Sequence, residues 1–243
     1  MTLSRLRLAA LPLALLLVLG ISQTGCSGMN NTGKGAVVGA GSGGVIGAVI
    51  GRATGSTARG AIIGAAVGGA AGAVIGRQMD RQARELDNDL PDDVTVTPIP
   101  SEDGNTTAIA INFNNDLLFD LGKSTLKAGV QADLRDLAAS LNRYPNYDVT
   151  IVGHASTDGG TQLNQNLSEA RARSVRDFLA VQGVASNRLE NFGRGEMEPI
   201  PGIPGTSPQN RRVEIAIYPS EQFRQNMEDP SYRDEYSRQN GLN

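Results

Sequence analysis

Apolar positions along this chain change their period several times, and each change marks an element. Ile109, Ile111 and Phe113 alternate with smaller or polar neighbours, as do Val149 and Ile151, and Val213, Ile215 and Ile217. A period of two predicts strands. Leu126, Val130, Leu134, Leu137, Ala138 and Leu141 recur instead at helical spacing, with Ser124 or Thr125 placed to cap the helix. A second helix is predicted with Leu167, Ala170, Val175, Phe178 and Leu179 on its core side, followed by a short strand from Leu189 to Gly193. Residues 106–219 therefore read as an α+β domain, a β-α-β-α-β-β sandwich with helices on one face of the sheet.

Upstream, the repeat is different again. Gly35, Gly39, Gly43, Gly47 and Gly51 recur every fourth residue, and after a polar connector so do Gly60, Gly64, Gly68, Gly72 and Gly76, with Ala, Val and Ile between them. This double glycine zipper predicts a hairpin of two short apolar helices over 34–77, because small residues at that spacing let helix backbones approach closely in lipid. Each interior Gly costs about 0.8–1 kcal/mol relative to Ala, so such helices need a packed or lipid environment. A 17-residue run reaches roughly 25 Å, slightly short of a hydrocarbon core of about 30 Å. Whether the zipper spans a membrane or only drives self-association stays open at this point. Residues 78–105, with prolines at 91, 98 and 100, read as a linker whose first part continues as a polar helix. The polar stretch 220–243 reads as a mobile tail.

The first 25 residues have the form of a secretory leader, with Arg5 and Arg7 ahead of an apolar run at 8–19 that is too short to span a bilayer. Cys26 follows directly and is the only cysteine, which excludes an intramolecular disulfide. A lone Cys at the end of a leader predicts a lipoprotein signal at 1–25, acylation of Cys26, and a short tether at 26–33. Gln23 departs from the Leu usual three places before such a cysteine. The full chain has a formal charge of −3, and loss of the two leader arginines takes it to −5. No basic field exists to draw in nucleic acid.

The candidate chemistry gathers in three stretches: Gly153-His154-Ala155-Ser156-Thr157-Asp158-Gly159, Asn164-Gln165-Asn166-Leu167-Ser168-Glu169-Ala170-Arg171-Ala172, and Asn210-Arg211-Arg212-Val213-Glu214-Ile215. Small residues, amides and guanidinium groups on the loop edges of a small sheet suit capture of a zwitterion rather than bond cleavage. One histidine, a cysteine expected to be acylated and no metal-ligand cluster leave hydrolysis unsupported. No catalytic residue, metal or cofactor is expected. His154 reads as a packed, hydrogen-bonded residue and Phe119 as core.

These stretches resemble the OmpA-like peptidoglycan-binding domain in residue type, order and most spacings. The order of leader, lipidated Cys, glycine zipper, linker and domain is similar to that of YiaD-type outer-membrane lipoproteins. The resemblance implies a lipid-anchored protein of the outer membrane whose periplasmic domain binds peptidoglycan noncovalently and tethers membrane to wall. It implies that Arg171, one turn into the second helix, receives the carboxylate of diaminopimelate in the stem peptide. Asn164, in the loop before that helix, is implied to bond the same ligand, as is Arg211. The family's aspartate for the ligand ammonium is replaced here by Ser156, and Asp158 could substitute if the loop bends. The loop before Asn210, with Pro201, Pro204 and Pro208, also departs from the family. The other reading is a self-associating membrane scaffold, homo-oligomeric through its zipper, whose OmpA-like domain binds a protein.

Overall fold

The structure is a computed structural model and describes residues 69–101 and 103–242. The leader, Cys26 with its tether, and most of the zipper lie outside the described residues. Among those described, no helix is long and apolar enough to cross a membrane.

The elements run α1 (Gly69–Asp89), β1 (Val94–Pro100), β2 (Thr106–Asn114), a single helical turn α2 (Asn115–Leu118), α3 (Gln131–Arg143), β3 (Tyr147–Gly153), α4 (Thr161–Val181), β4 (Leu189–Gly193), β5 (Arg212–Pro219), α5 (Glu221–Glu228) and α6 (Pro230–Asn240). The five strands form one sheet in the order β1-β2-β5-β3-β4. Only β3 and β4 pair in parallel, joined by a crossover through α4; the other pairs are antiparallel. Ile109, Ile111, Phe113, Val149, Ile151, Val213, Ile215 and Ile217 all turn to one face, where they are fully or almost fully buried with Leu134, Leu137 and Leu141 of α3 and Val175 and Leu179 of α4. The alternating strands and the mixed α+β class are as the hydrophobic periods predict.

Four expectations are corrected. The stretch 78–105 is not a linker. Its first part is helical as expected but forms the distal half of α1, which buries Met79, Gln82, Ala83 and Leu86 against the core, and its second part is β1, a fifth strand. Prolines are tolerated there because β1 is an edge strand, where an absent N–H leaves no neighbour unpaired. The tail at 220–243 is two helices, not a mobile segment: Phe223, Met227 and Leu242 join the core, and Phe223 packs edge-on to Tyr147 at 5.6 Å between ring centroids. Ser220 and Asp229 cap these helices by accepting from the backbone N–H of Phe223 and Ser231.

The last zipper glycines are likewise part of α1. Gly76 is buried so closely against β2 that a Cβ there would sit 3.0 Å from Asn105 Cβ and 3.2 Å from Thr106 N. Finally, α3 begins at Gln131 with no side-chain cap, so neither Ser124 nor Thr125 caps it; Leu126 instead bridges back to Phe119.

Candidate functional site

The site is assembled where the carboxyl ends of β3 and β4 meet the first half of α4. Two glycines permit it. A Cβ on Gly153 would lie 2.1 Å from Ser168 O, and one on Gly193 would lie 2.5 Å from Glu169 N. With hydrogen alone at both positions, α4 settles directly onto the strand ends. Its buried stripe is Asn164, Ser168, Arg171, Ala172, Val175 and Leu179, so small and polar residues replace the Leu167 and Ala170 expected at its head. The Ser168 hydroxyl accepts from Gly195 N at 2.8 Å and donates to Gln165 O at 2.9 Å.

α4 starts ten residues before Arg171, so Arg171 lies nearly three turns in and Asn164 belongs to the first turn rather than to a preceding loop. Gly160, with extended backbone at φ −88°, supplies the N-cap that moves the start upstream.

Arg171 is 2% exposed. Its Nε donates to Lys123 O at 2.9 Å, and its guanidinium carbon lies 5.4 Å from the centroid of the buried Phe119 ring. Phe119 is thus core, and the underside of the cation as well. Burial, followed by the charge of Arg211, lowers the Arg171 pKa to about 10, with Asp116 acting the other way. The residue stays charged at neutral pH. Among the described residues no carboxylate lies within ion-pair distance of it, while Arg211 reaches Asp158 at 3.6 Å between Nη1 and Oδ2.

The loop 154–160 carries the acceptors. Buried Ser156 donates its hydroxyl to Asp158 Oδ2 at 3.1 Å. Gly159 takes φ +94°, a turn that an L side chain would strain, and the loop bends so that Asp158 faces Arg211. Asn164 Nδ2 donates to Ser156 O at 3.1 Å and to Glu196 Oε2 at 2.6 Å. Thr161 holds the other oxygen of Glu196 at 2.8 Å. The structure therefore brings Arg171, Arg211, Ser156, Asp158 and Asn164 onto one edge of the domain.

His154 is buried; its backbone N–H donates to Arg212 O at 2.9 Å, and Nε2 lies 3.6 Å from Glu214 Oε2. His154 is packed as expected, with the Glu214 carboxylate as the neighbour of its imidazole. Burial raises the Glu214 pKa, but His154 and Arg212 override that and hold it at about 2. Arg212 is structural: Nε meets Glu214 Oε1 at 2.7 Å, and Nη1 and Nη2 donate to the carbonyls of Asn210 and Glu198.

The roles of Asn210, which heads the last of the three stretches, and of Glu196 were not read from the sequence. Asn210 organises the proline-rich loop, accepting from Ile200 N and donating to the carbonyls of Pro204 and Gly205. Gly205 O in turn accepts from Thr157 N at 2.9 Å, so this loop abuts the one bearing Ser156 and Asp158. Glu196 is 32 residues from Asn164. The available signal was the parallel β3–β4 crossover, which sets the loop after β4 beside the first turn of the connecting helix.

Comparison with known proteins agrees with this geometry. Residues 118–212 match the OmpA family, and residues 5–80 match the YMGG-like Gly-zipper. The chain is similar to the peptidoglycan-associated lipoprotein of Brucella melitensis, 37% identical over 97 residues that cover 40% of this chain and 58% of that one. It is also similar to the probable lipoprotein YiaD of Escherichia coli, 37% identical over 113 residues, or 46% of this chain and 52% of that one. It thus spans little more than half the length of these curated relatives. A MotB-like protein from Desulfovibrio vulgaris shares the fold, with a TM-score of 0.50 at 20% identity over 60% of this chain and 94% of that one.

Proposed function

The chain belongs to the OmpA family, and on that premise we propose that its domain binds peptidoglycan noncovalently through the stem peptide. The observation that carries this reading is Arg171. A buried guanidinium with no carboxylate partner is costly unless a ligand supplies the missing anion. The planar fork suits a carboxylate gripped from two nitrogens, and Arg211 adds a second positive charge beside it. Asp158, which accepts from Ser156 and faces Arg211 at 3.6 Å, is the nearby acidic group, suited to an ammonium. The pair of poles fits a diamino acid with a free zwitterionic end, such as diaminopimelate. Capture of this kind holds the wall without cleaving it.

With Cys26 acylated, the same domain would tether the outer membrane to the wall from the periplasm. Mass spectrometry of membrane-extracted protein should find lipid on a peptide beginning at Cys26; a free thiol there removes the anchor from the proposal. The binding reading is tested by sedimenting the full chain, in detergent, with purified sacculi. Arg171→Ala should leave most protein in the supernatant while its circular dichroism spectrum matches wild type. Equal sedimentation of the two would end the assignment of Arg171.

A further inference from the structure

We infer that Glu196 is a positioning residue that fixes the Asn164 side-chain amide with its oxygen, not its nitrogen, turned to the ligand. The inference rests on the peptidoglycan reading above and assigns polarity to one of its contacts. Both partners of Asn164 Nδ2 are pure acceptors: Ser156 O at 3.1 Å and Glu196 Oε2 at 2.6 Å. An amide NH₂ has two hydrogens, and both are spent on the protein. Reversing the amide would set Oδ1 against a carbonyl and a carboxylate, so the orientation is fixed by chemistry rather than by assignment. Glu196 is itself fixed, because Thr161 donates to its second oxygen at 2.8 Å.

Asn164 Oδ1 is then the group left to offer. It faces the bend of the 154–160 loop, 3.8 Å from where a Gly159 Cβ would stand, on the side that carries Asp158. An oxygen there cannot donate to a ligand carboxylate. It accepts, and the ligand group that donates is the ammonium. Asn164 thus adds a second acceptor where the family's aspartate is absent, and Glu196 acts through it by holding the torsion that a terminal amide otherwise explores broadly.

The test is titration calorimetry of the full chain in detergent with meso-diaminopimelate and with pimelate, which keeps both carboxylates and lacks both ammonium groups. Wild type should prefer diaminopimelate. Glu196→Ala should cut diaminopimelate affinity by about tenfold, the scale of one charge-assisted hydrogen bond, and leave pimelate affinity unchanged. Glu196→Gln should restore the wild-type preference, since its Oε1 can accept from Asn164 and its Nε2 can donate to Thr161. Equal loss of both ligands in Glu196→Ala would reduce Glu196 to a folding role and overturn the inference. So would an unchanged preference in that variant, a wild type that does not discriminate, or a Glu196→Gln variant that behaves like alanine, which would mean the charge acts directly. Failure of wild type to bind either ligand or sacculi would instead remove the peptidoglycan reading on which the inference stands.

Discussion

Glu214 shows how a single carboxylate can tie the site's rear wall to pH. Its pKa of about 2 lies below the ordinary 4.5 because His154 and Arg212 outweigh its burial. A depressed carboxylate stabilises the fold fully above its unfolded value, and that stability fades as pH falls through the folded one. The contribution is of the order of 3 kcal/mol, at about 1.36 kcal/mol per pH unit. Glu214→Gln should therefore lower stability against denaturation at pH 5, with the gap to wild type closing between pH 4.5 and about 2. A gap independent of pH would show that Glu214 acts through packing alone. Arg171→Lys makes a complementary point. It keeps the charge but loses the Nε bond to Lys123 O and the planar fork, and about a tenfold or greater loss in diaminopimelate affinity is expected from one charge-assisted bond. Calorimetry that finds lysine equivalent would reduce the site to a point charge. Such residues were legible from the sequence as types and spacings. Their pairings were not, because Asn164 with Glu196 and Ser168 with Gly195 come from separate stretches that only the crossover unites.

Among the elements, α4 is placed by what β3 and β4 lack. Gly153→Ala or Gly193→Ala would drive a methyl into the helix backbone, and overpacking of this kind typically costs about 1–3 kcal/mol. Both variants should melt earlier and bind sacculi less well, since the displaced helix carries Asn164 and Arg171. Gly129→Ala, which meets nothing within 4 Å and lacks a positive φ, is the control expected to melt near wild type. A Gly153→Ala protein as stable as that control would contradict the close approach. Strong alternation made β2, β3 and β5 plain in the sequence. β1 was hidden because its Pro98 and Pro100 read as breaks, whereas an edge accepts them. The face of α4 was misjudged because Ser168 and Ala172 are buried ahead of Leu167: here shape against glycine decided burial, not hydrophobicity.

For the whole molecule, the unexpected finding is that the carboxyl-terminal helices complete the core. Phe223 is 2% exposed and stands between Tyr147 and Tyr236, at 5.6 and 5.0 Å. Phe223→Ala should cost about 3–5 kcal/mol, the range for removing a buried phenyl ring, yet leave sacculus binding intact at temperatures where the protein stays folded. A wild-type melting curve for this variant would return 220–243 to the status of a tail. Its polar composition concealed the packing, since three apolar residues, Phe223, Met227 and Leu242, carry it.

The junction of α1 with this cap bears on mechanics. Arg81, midway along α1, donates to Asn240 O at 2.9 Å and to Gly241 O at 3.2 Å, closing the carboxyl end of α6 onto the helix that leads in from the zipper. Beneath, Asp80 accepts from the Thr106 hydroxyl at 2.5 Å, and Gly76 rests on the start of β2. A pull entering the domain from residue 69 meets a strut gripped on two sides. Such a load would be shared between the sheet and the terminal cap instead of peeling one strand.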